Sequence, residues 1–273
     1  MIVVQITDTH VKRPGRLAYR RVDSASALAA CVDHVNKLVP RPDVALLTGD
    51  LVDAGAADEY AVFRGIVDEL AMPYFLIPGN HDDRGNLRTA FGDHAYLRQD
   101  DEFLHYAIDD WPLRLIGLDS TQPGAPEGHM CERRLAWLAA QLDRDPARAT
   151  LVFMHHPPFL TGIEHMDVQN CRDGAALAKV LAPHRDSIRL LCGHVHRAVH
   201  ANWMGIACSI GPSPSHAVAL DLCPDPTPAF VLEPPACHLV TWTGGFEFTT
   251  HLSVIGQFDG PYPFYHADGT LID

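Results

Sequence analysis

Apolar positions recur in two alternating rhythms along the first two thirds of the chain. Ile2 to Ile6, Val44 to Leu47 and Tyr74 to Ile77 are short unbroken apolar runs with the length of buried strands. Between them the spacing turns helical. Ala25, Leu28, Ala29, Val32, Val35 and Val39 mark one helix, starting at Asp23 or Ser24 and stopped by Pro40, and Phe63, Ile66, Val67 and Leu70 mark a second. Pro78 and Gly79 close the third strand, so the opening reads βαβαβ. Strands are predicted again at 104–108, 113–118, 150–154 and near 188–192. Helices are predicted at 131–143, through Leu135, Leu138 and Leu142, and from Asp173, through Leu177, Val180 and Leu181. Such alternation implies an α/β protein with sheets covered by helices and ligand chemistry at the carboxyl ends of the strands.

From about residue 198 helical spacing is lost. Pro212, Pro214, Pro224, Pro226, Pro228, Pro234 and Pro235 exclude regular helix, while 237–242 and 246–254 read as strands. We therefore expect a core over 1–197 and a β-rich, Pro-rich segment over 198–273 that completes the second sheet and forms a cap or an oligomerisation region. No clear linker and no internal repeat separates the two.

Composition narrows the partners. Lys and Arg number 21 against 34 Asp and Glu, a formal net charge of −13. That balance repels a long nucleic-acid backbone and an anionic lipid surface. No apolar run approaches the length of a membrane span, and Ile2 to Ile6 runs into Asp8 and His10 without a signal-peptide cleavage pattern. The expected compartment is the cytoplasm. Seven scattered cysteines, with no C-x-x-C pair, do not form a disulfide framework.

The 17 histidines are more informative, because several stand in short motifs at strand ends. The motifs are Asp8-Thr9-His10, Gly49-Asp50-Leu51-Val52-Asp53, Gly79-Asn80-His81-Asp82, His155-His156-Pro157-Pro158 and Gly193-His194-Val195-His196. Each alone is a weak signal: Gly-Asp after a strand is commonly a turn, and a histidine pair is commonly half-buried structure. Together, each following an apolar run, they converge on one edge of the fold. Positions i and i+2 of an extended segment share a side, so Asp8 with His10, and His194 with His196, are expected to act as ligand pairs. Imidazole and carboxylate donors suit Zn, Mn, Fe or Co, and the absence of cysteine from every motif argues against thiolate zinc or an iron–sulfur cluster.

In this order the five motifs resemble the calcineurin-like metallophosphoesterases, most closely the bacterial enzymes that cleave glycerophosphodiesters or 3′,5′-cyclic nucleotides. The resemblance spans residues 8–196 and extends into the tail at His216. It implies a four-layer α/β/β/α sandwich. It implies two divalent metals, one held by Asp8, His10, Asp50 and His196, the other by Asp50, Asn80, His155 and His194. The implied activity is that of a metal-dependent phosphoric diester hydrolase acting on small diesters through a hydroxide shared by the metals. His81 is the candidate to stabilise developing charge or to protonate the leaving alkoxide, and His216 matches a substrate-contacting histidine. The branch also implies a homo-oligomer, a dimer or larger.

Blander readings stand beside these. His81 could simply hold its turn, His216 could be a surface-loop residue, and His156 could line the pocket or support His155 from behind. Asp53 and Asp82 are expected to orient histidines or cap helices, and His200, His238, His251 and His266 to be structural or solvated. A phosphomonoesterase or nucleotidase would use the same metals. A silent scaffold would have no reason to keep all seven ligand side chains and His81.

Overall fold

The computed structural model describes residues 1–272. Its first sheet contains β1 (Ile2–Ile6), β2 (Val44–Thr48) and β3 (Tyr74–Ile77), paired in parallel. The second contains β4 (Tyr106–Ile108), β5 (Arg114–Leu118), β6 (Thr150–Met154), β7 (Ile188–Cys192), β8 (Val199–Trp203) and β9 (Ile206–Ile210), in the order β4-β5-β6-β7-β9-β8. Strands β10 (Ala217–Val218) and β11 (Phe230–Val231) make a small ribbon, and β12 (Ala236–Trp242) and β13 (Phe248–Val254) complete the set. The helices are α1 (Ser24–Lys37), α2 (Ala57–Val67), α3 (Arg84–Ala90), α4 (Glu132–Asp143), α5 (Glu164–Asp167) and α6 (Gly174–Leu181).

Period-two alternation in the central strands produces the layering. Leu115, Leu151 and Leu191 pack into a core shared with the first sheet and helices α1 and α2. Their neighbours Ile116, Val152 and Leu190 pack into a second core with Leu138 and Leu142 of α4 and Leu177 and Leu181 of α6. The central strands β5, β6 and β7 thus face the other sheet on one side and helices on the other. The architecture is the expected α/β/β/α sandwich.

Two local expectations are corrected, and one hairpin is added. The α1 stripe stops at Lys37, before Val39, which is 95% exposed. A residue preceding proline is driven out of the α region by the proline ring, so the apolar period runs on past the helix. Strands β8 and β9 do join the second sheet, as an antiparallel hairpin turned at Met204 and Gly205 that the spacing did not announce. Strands β12 and β13, however, extend the first sheet: β12 lies antiparallel to β1, with Ile2 opposite Thr241 and Gln5 opposite His238. Alternation marks a strand but not its partner, and here the partner is more than two hundred residues away.

Candidate metal centre

The C-terminal ends of β1, β2, β3, β6 and β7 lie at one rim, and every motif falls just beyond them. The segments carrying Asp8, His10, His194 and His196 are not extended there. Asp8 (φ 54°), His10 (φ 44°), Asp50 (φ 48°), His194 (φ 76°) and His196 (φ 55°) all hold left-handed backbone. The same-side argument for residues i and i+2 therefore fails, and tight αL turns aim these side chains instead. This conformation is disfavoured for non-glycine residues and persists where the surroundings over-determine it. Here the surroundings are backbone pairs, with Asp8 N donating to Gly49 O at 3.0 Å and His10 N to Asp50 O at 2.9 Å. The His194 amide in turn donates to Asp8 Oδ1 at 2.9 Å, tying the two sheets together.

Asp8, His10, Asp50 and His196 each offer a ligand atom within 4.8 Å of the others, and all four are buried. His10 Nε2 lies 3.1 Å from His196 Nε2 and 3.4 Å from Asp50 Oδ2, and His196 Nε2 lies 3.5 Å from Asp8 Oδ1. Bonds of about 2.0–2.1 Å to one ion place neighbouring ligand atoms roughly 3 to 3.5 Å apart, so these separations fit the edges of a coordination polyhedron. On the other side, His155 Nε2 lies 3.3 Å from Asp50 Oδ2 and 3.2 Å from Asn80 Oδ1. Asp50 Oδ2 belongs to both sets, while Asp50 Oδ1 accepts the His81 amide at 2.9 Å.

The donors are prepared for a cation. His155 donates from Nδ1 to Thr48 O at 3.0 Å, which directs the Nε2 lone pair inward. His194 Nε2 and His196 Nδ1 are buried without any hydrogen-bond partner. Burial, reinforced by the neighbouring His155, lowers the His194 imidazole to about 3, and burial with His10 beside it holds His196 well below its usual range. Both imidazoles are neutral at pH 7, the form a metal requires. Burial raises the Asp8 carboxyl to about 6, with His155 opposing and the Asp50 charge adding to the rise. Burial acts the same way on Asp50, but His155 and His81 outweigh it and hold its carboxyl well below the ordinary value. Burial works against a charge on His155, but Asp50 and Asp8 outweigh it and raise the imidazole to about 9 while no ion is bound, so a metal taken up at Nε2 displaces that proton. Orphaned nitrogens, hard and borderline donors and a shared carboxylate fit a pair of divalent ions.

Close packing of glycines tightens the site. A Cβ at Gly79 would overlap the carboxylate and amide of Asp50, and one at Gly193 would overlap the Thr7 hydroxyl. These glycines permit close approach; neither has positive φ.

The supporting carboxylates divide their work. Asp53 Oδ1 faces His10 Nδ1 at 3.4 Å, and its other oxygen pairs with Lys12, so Asp53 orients a histidine as expected. Asp82 neither orients a histidine nor caps a helix. It accepts the amides of Gly79 (2.8 Å), Leu51 (3.1 Å) and Val52 (3.3 Å) and the Tyr60 hydroxyl (2.9 Å), clamping the Asp50 loop to the Asn80 loop. His156 is fully buried and does not line the cavity: Nδ1 meets Ser120 Oγ at 2.8 Å and Nε2 meets Pro126 O at 3.1 Å.

A cavity of about 460 Å³ opens over the centre. His10, Asp50, Asn80, His194, His196, His81 and His216 line its floor, and Tyr19, His165, Met166, Gln169, Val218 and Phe230 its walls. His81 Nδ1 bonds Asp53 O at 2.7 Å, and its ring sits 4.6 Å from that of His10. The His216 ring lies 4.6 Å from His196, with Nδ1 on Ser215 Oγ at 2.9 Å. Burial, with His10 nearby, lowers His216 to about 4. The wall residues escaped the sequence reading. Tyr19 sits at positive φ (50°) in a tight turn, while His165 and Met166 on the short α5 and Gln169 just after it follow the His-His-Pro-Pro motif, where Asp167 accepts Thr161 N and Gly162 N at 2.7 and 2.8 Å. Of the four histidines expected to be structural or solvated, His238 is buried with both ring nitrogens unpartnered, and His200 stacks on it at 5.5 Å.

Fold and site define a metal-binding α/β phosphoesterase, and the chain belongs to the calcineurin-like phosphoesterase family, whose model matches residues 1–198. A probable glycerophosphodiester phosphodiesterase, GpdQ, of Arcobacter nitrofigilis is 46% identical over 274 residues, covering 100% of each chain. The 3′,5′-cyclic adenosine monophosphate phosphodiesterase CpdA of Pseudomonas aeruginosa is 32% identical, covering 72% of this chain and 70% of its own. A dimetal phosphatase from Danio rerio superposes with a TM-score of 0.64 at 16% identity, over 94% of this chain and 99% of its own, and shares the fold.

Proposed function

We propose that the protein hydrolyses small phosphodiesters with two divalent metals, and that glycerophosphodiesters are its principal substrates, ahead of 3′,5′-cyclic nucleotides. One observation carries this order. The cavity wall includes Val218 and Phe230, from the region after residue 198, and the glycerophosphodiesterase relative matches the chain from end to end while the cyclic-nucleotide relative matches 72% of it.

Asp8, His10, Asp50 and His196 would hold one ion, and Asp50, Asn80, His155 and His194 the other, with Asp50 Oδ2 common to both. Such a pair polarises phosphoryl oxygens and makes hydroxide available at neutral pH. The chain's own groups do the rest. His81 donates from Nδ1 to the Asp53 carbonyl, which leaves Nε2 for the substrate, and in the protonated ring Nε2 gives its proton to the departing alkoxide. Neutral His216, anchored by Ser215, hydrogen-bonds the phosphoryl group. Among the described residues no Lys or Arg lines the cavity. That favours the single charge of a diester over the double charge of a monoester. Nitrogen and oxygen donors suit Mn, Fe, Zn or Co.

We place the protein in the cytoplasm as a homo-oligomer. All seven cysteines are free, and Phe258, Tyr262, Phe264 and Tyr265 stand exposed on the tail, an apolar surface suited to a second copy. No helix among the described residues is long and apolar enough to cross a membrane.

The test is a turnover panel with added Mn, Co, Zn and Fe against glycerophosphocholine, cyclic AMP and p-nitrophenyl phosphate. Metal-dependent cleavage fastest on the glycerophosphodiester supports the proposal; a monoester preferred under every metal refutes it.

A further inference from the structure

The candidate ligands come from two sheets. Asp8, His10, Asp50 and Asn80 follow strands of the first, and His155, His194 and His196 follow strands of the second. Asn80 Oδ1 and His155 Nε2 meet across that divide at 3.2 Å. Asn80 sits in a turn outside any strand and is not fully buried, so its distance from His155 must be fixed by something besides its own strand. Most tethers of the 79–84 loop lead back to the first sheet, through Asp82 to Leu51 and Val52, and through His81 to Asp50 and Asp53.

Arg84 is different. Four residues beyond Asn80, at the start of α3, its guanidinium forks onto buried Asp119 just past β5, with Nε to Oδ2 at 2.5 Å and Nη2 to Oδ1 at 3.0 Å. Nη2 also donates to Thr121 O at 2.8 Å. Asp119 is held in turn by the Leu104 amide at 3.0 Å and the Thr121 hydroxyl at 2.7 Å, and Arg134 secures the carbonyls of Asp119 and Thr121 at 2.8 and 3.0 Å. The middle residue of that turn, Ser120, bonds His156 Nδ1 at 2.8 Å, and His156 adjoins His155. The three-residue turn Asp119-Ser120-Thr121 therefore grips the Asn80 loop on one side and the His155 loop on the other. A bidentate arginine–carboxylate pair fixes both distance and angle, which a lysine cannot do.

We infer that the Arg84–Asp119 fork is a positioning device that sets the gap between Asn80 and His155, and with it the affinity of the second metal. The inference rests on the two-metal reading above. Partners one step removed from the ligands commonly change metal affinity about 10- to 100-fold. The experiment titrates metal-free wild type, Arg84→Met, Arg84→Lys and Asp119→Asn with Mn by calorimetry, with thermal melting of each metal-free protein alongside. Wild type is expected to take up two equivalents. Arg84→Met should weaken the second at least about tenfold, leave the first unchanged and melt close to wild type, and Arg84→Lys should recover part of the loss. Arg84→Met in the Asp119→Asn background should add no further loss. Two equivalents bound by Arg84→Met with wild-type affinities would overturn the inference, as would equal weakening of both. A wild type that binds no metal would overturn the two-metal reading itself, a distinct result. If Asp119→Asn, being buried, does not fold, the Arg84→Met and Arg84→Lys pair decides alone.

Discussion

The Nε2 atoms of His10 and His196 stand 3.1 Å apart in a buried site. In neutral rings two lone pairs cannot face each other at that distance without a shared proton or cation between them. The neighbouring carboxylates, Asp50 Oδ2 at 3.4 Å from His10 and Asp8 Oδ1 at 3.5 Å from His196, supply negative charge to the same point. Without an ion the contact is met by an N–H···N hydrogen bond in one tautomer, and a divalent ion takes the place of that proton.

Metal should therefore stabilise the fold. A ligand at one hundred times its dissociation constant adds about 2.7 kcal/mol, which for a chain of this size is a rise of several degrees in Tm. Melting with and without excess Mn checks this. Wild type should shift upward, and His196→Ala should shift much less.

Gly79→Ala should be among the most damaging single-methyl changes in the protein. Its Cβ would land on the Asp50 carboxylate and amide, and neither can retreat without leaving both ligand sets. The expected outcome is loss of bound metal and of activity, with Tm lowered. Metal content of the purified variant is the deciding measurement, and a normal content would contradict the geometry.

Tyr60→Phe should loosen the same region more gently. The buried hydroxyl donates to Asp82 Oδ1 at 2.9 Å and accepts the Asp83 amide at 3.0 Å, so its removal leaves two polar groups short of a partner. A loss of about 1–3 kcal/mol in urea unfolding is expected, with a smaller effect on turnover than Gly79→Ala.

Much of this candidate site was legible because the residues that could hold metal are local to strand ends. An apolar run followed by Asp-x-His or Gly-Asn-His-Asp states both the strand and the chemistry at its tip, so Asp8, His10, Asp50, Asn80, His155, His194 and His196 could all be named from short windows. The premise of the i, i+2 argument fails, since φ values of 44° to 76° put Asp8, His10, His194 and His196 in turns rather than on extended backbone. What sequence could not show depends on contacts between distant segments. Tyr19 and Phe230 meet at 4.9 Å from opposite ends of the chain, and no periodicity records that meeting. The pairing of β12 with β1 and the Arg84–Asp119 fork are hidden for the same reason. Asp82, a clamp between loops, looks in sequence like a helix cap because its acceptor geometry involves amides thirty residues away.

His238 should make the metal-free protein acid-sensitive. It is buried opposite Gln5 with both ring nitrogens unpartnered, and burial, with His200 beside it, lowers its pKa from 6.5 to about 4. The folded state thus takes up the proton later than the unfolded chain. Its contribution to stability is complete above pH 6.5 and is lost as pH falls from there toward 4, by on the order of 2–3 kcal/mol at the low end. Urea unfolding of wild type and His238→Gln at pH 7.5 and 4.5 tests this. The variant should lose less on acidification, and parallel losses would exclude His238 as the source.

The central claim is that one carboxylate oxygen, Asp50 Oδ2, joins two metal sites. Anomalous diffraction from crystals grown with Mn tests it most directly. Two peaks about 3.5–4 Å apart are expected, both bonded to Asp50 Oδ2, one beside His10 and His196 and the other beside His155 and Asn80. No peak at Asp50, or a single ion bound away from it, would contradict the account.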